Sequence, residues 1–223
     1  MIRAVIVDVD DTLCLTEAVS FELENEVLAR LGRPPMPREV HFATWGETLL
    51  DAIPRRSPGV ELRLFAELFP ILHQQYLADG RLDVIPPENL AALDRLIGGG
   101  RTVLLLTSRA EAEVRHLLEP DHVLAGRVAG AYHLGNTRFR KPDPRVFDEL
   151  LAETGFRPEQ CVYVGDSPGD AMAAGGAGIR FVACLQSGVR RLDEFDPRYV
   201  TAAVDTFPEI VPVIRNWDDH GTG

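Results

Sequence analysis

Three carboxylates in four residues, Asp8, Asp10 and Asp11, close the β-branched run in VIVDVDDTL (5–13), and Thr12 follows them. Residues i and i+2 of a strand share a face, so Asp8 and Asp10 are expected to point together. At about 4 Å and an effective dielectric near 20, two carboxylates repel by roughly 4 kcal/mol. A turn that only reverses the chain has no reason to carry that cost. A hard cation with oxygen ligands, such as Mg2+, removes it. Three later segments offer complementary groups. LLLTSR brings the hydroxyls of Thr107 and Ser108, FRKPDP brings the amine of Lys141, and VYVGDSPGD brings Asp166 and Asp170. Asp166 is a further oxygen ligand, and Asp170, one helical turn on, suits a contact through water. Alone, Thr107 is an ordinary strand residue, Ser108 an ordinary helix cap and Lys141 a solvated loop lysine. Together, Thr107 and Ser108 suit an anion cradle, because N–H groups at a helix start point outward.

Positioning these groups calls for a particular set of elements. Four short apolar segments read as buried strands: Ala4–Val9, Thr102–Thr107, Cys161–Gly165 and Ile179–Cys184. Weaker strands fall within Arg127–Leu134 and Val200–Val204. Helical periodicities lie between them, as in Leu90, Leu93, Leu96 and Ile97, and in Val146, Phe147, Leu150 and Leu151. Strands alternating with helices predict a parallel sheet built by right-handed crossovers, an α/β Rossmann-like core. In such a sheet, ligands bind beyond the carboxyl ends of the strands, where all the polar groups above fall. The glycine runs at 98–100 and 175–178 follow helices and precede strands, so they read as helix stops and not as phosphate loops.

From about Thr16 to Gly80 only helical periodicity is found. Leu23, Val27, Leu28 and Leu31 form one stripe. Leu62, Phe65, Leu68, Phe69 and Leu72 form another, with a break expected near Pro70. This predicts an all-helical cap at 16–80, inserted after the first strand of a core formed by 1–15 and 81–223. The polar tail DDHGTG is expected to fray.

The formal charge of −11 over 223 residues argues against nucleic acid and membrane surfaces as partners. It leaves room for an anionic substrate, because a bound metal inverts the local field. Cys14, Cys161 and Cys184 are widely spaced and form no zinc pattern, so they read as small buried hydrophobes in a reducing compartment. The apolar run at the N-terminus is broken at once by Asp8, unlike a secretory signal, and a cytoplasmic protein is expected.

In order along the chain, DVDDT, Thr107, Lys141 in KPDP and GDSPGD resemble the four motifs of the haloacid dehalogenase superfamily, in particular its members with a helical cap after the first motif. Asp11 stands where glycine is frequent in that family, and Val7 where an aromatic residue is frequent. The resemblance implies phosphoryl transfer through an aspartyl-phosphate. Asp8 would be the nucleophile and a Mg2+ ligand, and Asp10 the general acid and base, with its backbone carbonyl also on the metal. Thr107 and nearby amides, including those of Asp10 and Asp11, would hold the phosphoryl oxygens. Lys141 would neutralise charge, and Asp166 would bind Mg2+ with support from Asp170. Dehalogenating relatives lack the second aspartate, so Asp10 favours a phosphatase or a phosphomutase.

The substrate is expected to be a small phosphorylated metabolite, as in phosphoglycolate phosphatases. A sugar phosphomutase of the β-phosphoglucomutase type is the alternative among enzymes, and a non-catalytic phosphate-binding or regulatory protein is the alternative from another class. By the same resemblance, the cap would close over the phosphate and choose the substrate. In HFATWGETL (41–49), His41 and Trp45 are candidates for substrate contact, with ordinary packing as the competing reading. Arg55 and Arg56 read as a solvated turn.

Overall fold

The computed structural model describes residues 1–45 and 49–220. Its core carries six parallel strands: β1 (Ala4–Val7), β2 (Thr102–Leu106), β3 (Gly130–Tyr132), β4 (Cys161–Gly165), β5 (Arg180–Cys184) and β6 (Ala202–Val204). Their order across the sheet is β3-β2-β1-β4-β5-β6. Every residue of β1 is buried, as an apolar strand covered on both faces requires. Strand order reverses at β1, and the register pairs Val7 with Leu105 on one side and Val164 on the other. The carboxyl ends of β1, β2 and β4 therefore lie side by side at the switch point, where open α/β sheets bind ligands.

The helices in chain order are α1 (Thr16–Arg30), α2 (Arg38–Ala43), α3 (Leu49–Arg56), α4 (Leu62–Ala78), α5 (Pro87–Gly98), α6 (Glu111–Val114), α7 (Asp148–Thr154), α8 (Pro168–Gly176) and α9 (Ile210–His220). The chain divides into two compact units, one of Met1–Leu13 with Ile85–Gly223 and one of Cys14–Val84. In the first, Ala4, Ile6, Leu104, Phe147, Tyr163 and Phe181 lie at the centre of the core. Helix α5 begins with Pro87 at its first turn, and the chain beyond it passes through Gly100 at φ 79°, a left-handed position that glycine takes without strain.

Among the described residues, the helices of the second unit are α1 to α4, and it has its own core, in which Leu23, Val27, Leu28, Ile53, Phe65 and Leu72 are buried. Helix α4 runs unbroken through Pro70, contrary to the expected break. Pro70 is exposed, on the side where water can satisfy the carbonyl left open by its missing N–H. Phe65 and Leu72, buried before and after it, hold both halves of the helix in one core.

Arg56 is not a solvated turn residue either. It is buried at the end of α3, where Nη1 donates to both Glu24 oxygens at 2.6 and 2.7 Å and Nε donates to Thr44 Oγ1 at 2.8 Å. Each oxygen of Glu24 thus has a hydrogen-bond donor in the buried pair. Losing one member typically costs about 3–5 kcal/mol. The tail is also better anchored than expected. Asp218 accepts from Ile2 N–H at 2.7 Å and from Arg101 at 2.6 Å, and α9 extends to His220. The end of that tail, Gly221 to Gly223, lies outside the described residues.

Candidate active site

Strand β1 ends at Val7, so Asp8 and Asp10 lie beyond the strand, in the segment that follows it. The chain turns there, with Asp11 at φ 55°, a conformation that aspartate tolerates better than most residues. The two acids take different partners. Asp8, nearly buried, has its N–H on Val164 O at 2.9 Å and its Oδ1 on Lys141 Nζ at 2.9 Å. Asp10 is gripped by Arg109, which donates from Nε to Oδ2 at 3.0 Å and from Nη2 to Oδ1 at 2.7 Å.

Lys141 sits in the loop between β3 and α7, beyond which Asp143 caps the following 3-10 turn through Arg145 N–H. Its ammonium reaches Asp8 and also Asp170 Oδ1 at 2.7 Å and the hydroxyl of Tyr163 at 3.1 Å. The Tyr163 hydroxyl in turn lies 2.9 Å from Asp170 Oδ1 and 3.2 Å from the carbonyl of Leu106. Asp170 is fully buried. Its other oxygen accepts from Ser167 Oγ at 2.6 Å and Ser167 N–H at 3.1 Å, while Asp170 N–H donates back to Ser167 Oγ at 3.2 Å. This reciprocal cap at the start of α8 fixes Asp170. Gly165 makes room for it, since a Cβ there would lie 2.8 Å from Asp170 Cβ, Cγ and Oδ2.

Ligand oxygens of Asp8, Asp166 and Asp170 lie within 4.8 Å of one another. Burial pushes the Asp8 carboxyl up to about 7, against the pull of Lys141, and the charges of Asp170 and Asp10 add to the rise. Burial also holds Asp166 well above the ordinary carboxylate range, reinforced by Asp170, Asp8 and Asp11. For Lys141 burial works the other way, but Asp170 and Asp8 outweigh it and keep the ammonium charged. Three acids thus share one ammonium. An all-oxygen set with surplus negative charge fits a hard divalent cation. The Asp10 carboxylate is not in this set. Asp170, with both oxygens already engaged, is placed to hold Lys141.

Thr107 is buried just beyond β2. Its N–H donates to Tyr132 O at 3.0 Å, and its Oγ1 accepts from Arg109 N–H at 3.2 Å. Thr12 is buried too, and its hydroxyl has no hydrogen-bond partner among the described residues. Ser108 is exposed and starts no helix, since α6 begins only at Glu111. His41 does not stand open to a ligand. It is fully buried in the helical unit, with Nδ1 2.5 Å from Glu17 Oε1 and Nε2 3.4 Å from Glu24 Oε1, so carboxylates of that unit occupy both ring nitrogens. Trp45 is half-buried, its ring 5.3 Å from that of His41. The Trp-Gly step continues into residues 46–48, which lie outside the described residues.

Two residues of the cluster, Tyr163 and Arg109, escaped the sequence reading. Each left a signal. A tyrosine in the middle of a fully buried strand needs a partner for its hydroxyl. An arginine two positions past a strand-end threonine brings a fixed charge to the same edge.

Residues 5–184 match the haloacid dehalogenase-like hydrolases, and the chain belongs to that family and is an enzyme of its hydrolase class. Phosphoglycolate phosphatase 1 of Pseudomonas aeruginosa is 29% identical over 229 aligned positions, which span 94% of this chain and 79% of that protein. Phosphoglycolate phosphatase of Rhodospirillum rubrum is 30% identical over 82% of this chain and 79% of its own. Among solved structures, CbbY from Rhodobacter sphaeroides in complex with phosphate superposes with a TM-score of 0.69 at 22% identity, covering 94% of this chain and 96% of that one. β-Phosphoglucomutase from Clostridium difficile superposes with a TM-score of 0.66 at 14% identity, covering 99% of each. These structural likenesses speak to the fold alone. Among the described residues, no helix is long and apolar enough to cross a membrane.

Proposed function

We propose that the chain is a Mg2+-dependent phosphatase that hydrolyses a small phosphorylated metabolite through a phosphoryl group carried on Asp8. The observation that carries this reading is the Asp8 carboxylate, held at 2.9 Å by Lys141 at the switch point of the sheet, with oxygens of Asp166 and Asp170 within 4.8 Å. A phosphate dianion cannot approach a carboxylate unless positive charge intervenes. The side chains of Asp8 and Asp166 and the backbone carbonyl of Asp10 would hold the metal. Mg2+, when bound, draws charge off the phosphoryl oxygens.

The chain's own residues do the rest. Asp8 attacks phosphorus, the ester P–O bond breaks, and the leaving oxygen takes a proton from Asp10. Asp10 then takes a proton from water as the water oxygen bonds to phosphorus and the Asp8–phosphorus bond breaks. Lys141, fixed by Asp170 and Tyr163, balances charge on Asp8 and the phosphoryl group. The Thr107 hydroxyl accepts from Arg109 N–H, so its own proton can go to a phosphoryl oxygen, alongside the amides of Asp10 and Asp11.

The relatives named phosphoglycolate phosphatase make 2-phosphoglycolate the first substrate to try. A panel of phosphomonoesters assayed for phosphate release with and without Mg2+ tests the reading. Release is expected only with the metal and not from Asp8→Asn. No release from any ester, or an Asp8→Asn variant as active as wild type, would overturn it. A sugar phosphate isomerised without net phosphate release would identify a mutase instead.

A further inference from the structure

We propose that Arg109 is the positioning residue for Asp10: it fixes the plane of the acid–base carboxylate at rest and yields one of its oxygens when the leaving group arrives. This rests on the phosphatase reading above. The Arg109 guanidinium forks onto both carboxylate oxygens at 3.0 and 2.7 Å. Its side chain is 13% exposed, against 35% for Asp10, so the arginine is the more sheltered partner. It is also fixed at its root. Its N–H donates to Thr107 Oγ1 at 3.2 Å, and its carbonyl accepts from Leu134 N–H at 3.0 Å. At the tip, Nη1 reaches Glu113 O at 3.4 Å.

A planar fork held at both ends sets the orientation of a carboxylate, which the point charge of a lysine does not. Asp10 needs such a constraint because it lies in a turn beyond the end of β1. A general acid must come within hydrogen-bond reach of the leaving oxygen. The fork takes one lone pair on each oxygen of Asp10, whose side chain is 35% exposed, and in the proposal it relaxes to one contact as the leaving group arrives. The freed oxygen of Asp10 carries the proton to the leaving alkoxide, then receives the proton of the attacking water. Arg109 keeps its own protons throughout. Through Asp10, the same residue joins the loop after β2 to the loop after β1.

The test compares wild type, Arg109→Ala and Arg109→Lys in the full chain with Mg2+. One substrate is 2-phosphoglycolate, whose alkoxide must be protonated. The other is p-nitrophenyl phosphate, whose leaving group needs no proton. Arg109→Ala is expected to lower kcat on 2-phosphoglycolate about 10- to 100-fold, with KM within about threefold. On p-nitrophenyl phosphate the pre-steady-state burst of p-nitrophenolate, the step that takes no proton from Asp10, is expected to slow by no more than about threefold. Arg109→Lys, which keeps the charge and reads the loss of the fork even if the alanine variant misfolds, is expected to fall between. The double variant with Asp10→Asn is expected to be no slower than Asp10→Asn alone. A p-nitrophenolate burst slowed as much as turnover of 2-phosphoglycolate, a change in KM alone, or additive losses in the double variant would overturn the inference and leave the phosphatase reading intact. A wild type that hydrolyses neither ester would overturn that reading, and the inference with it.

Discussion

Lys141 illustrates how little of a residue's role lies in its own chemistry. An isolated loop lysine would be solvated, but here Asp170 and the Tyr163 hydroxyl hold it against Asp8. Tyr163→Phe tests how much depends on that hydroxyl. It strips one partner from each of two buried charged groups, so unfolding free energy is expected to drop by about 1–3 kcal/mol, with a lower kcat. A variant as stable and as fast as wild type would show that the hydroxyl is dispensable. Asp8 and Asp166 were legible in the sequence because acids at strand ends are chemically conspicuous, and Lys141 because it falls between the segments that carry Thr107 and Asp166. Tyr163 and Arg109 were not. Their roles depend on which strand lies beside which, and the β1–β4 and β1–β2 pairings supply that. For His41 the choice between substrate contact and packing was not legible, for the opposite reason. Its carboxylate partners lie one helix away, where periodicity does not show them.

At the scale of elements, a strand end and a helix start meet at Gly165 and Asp170. Gly165→Ala would press a Cβ against Asp170 at 2.8 Å. Overpacking of this kind costs about 1–3 kcal/mol and would shift the residue that holds Lys141, so both stability and turnover are expected to fall. Full activity with unchanged unfolding would contradict this. In the helical unit, burial opposes charge on His41, but hydrogen bonds to Glu17 and Glu24 raise its pKa above the ordinary histidine value. Arg38 on α2 and Arg56 on α3 face the same two carboxylates. A raised folded-state pKa means that protonated His41 stabilises the fold. Its contribution is whole below about pH 6.5 and fades as pH rises through the folded value. Denaturant unfolding of wild type and His41→Gln across that range is expected to give a stability gap that narrows with rising pH, and a widening gap would refute it. The strands were legible as short apolar runs. The path of α4 through Pro70 was not, since it depends on which side of the helix meets water.

The whole molecule carries a formal charge of −11 and gathers three acids around one ammonium at a sheet edge. A ligand that binds only the folded state stabilises it, so Mg2+ is expected to raise Tm by a few degrees in wild type (about 2–4 °C per kcal/mol at this chain length). The gain is expected to vanish in Asp166→Asn. An equal rise in both would place the metal elsewhere. Fold class was the most legible feature, because alternating strands and helices allow few topologies, and the observed strand order brings Asp8, Thr107 and Asp166 to one edge. Whether Asp8 bonds to phosphorus is the central claim. The most direct measurement is a mass spectrum of the peptide containing Asp8, taken after rapid acid quench of Asp10→Asn mixed with Mg2+ and p-nitrophenyl phosphate, whose leaving group needs no proton. The account predicts a phosphoryl adduct on Asp8 that Asp8→Asn abolishes together with phosphate release. Steady phosphate release with no adduct, undiminished in Asp8→Asn, would contradict it.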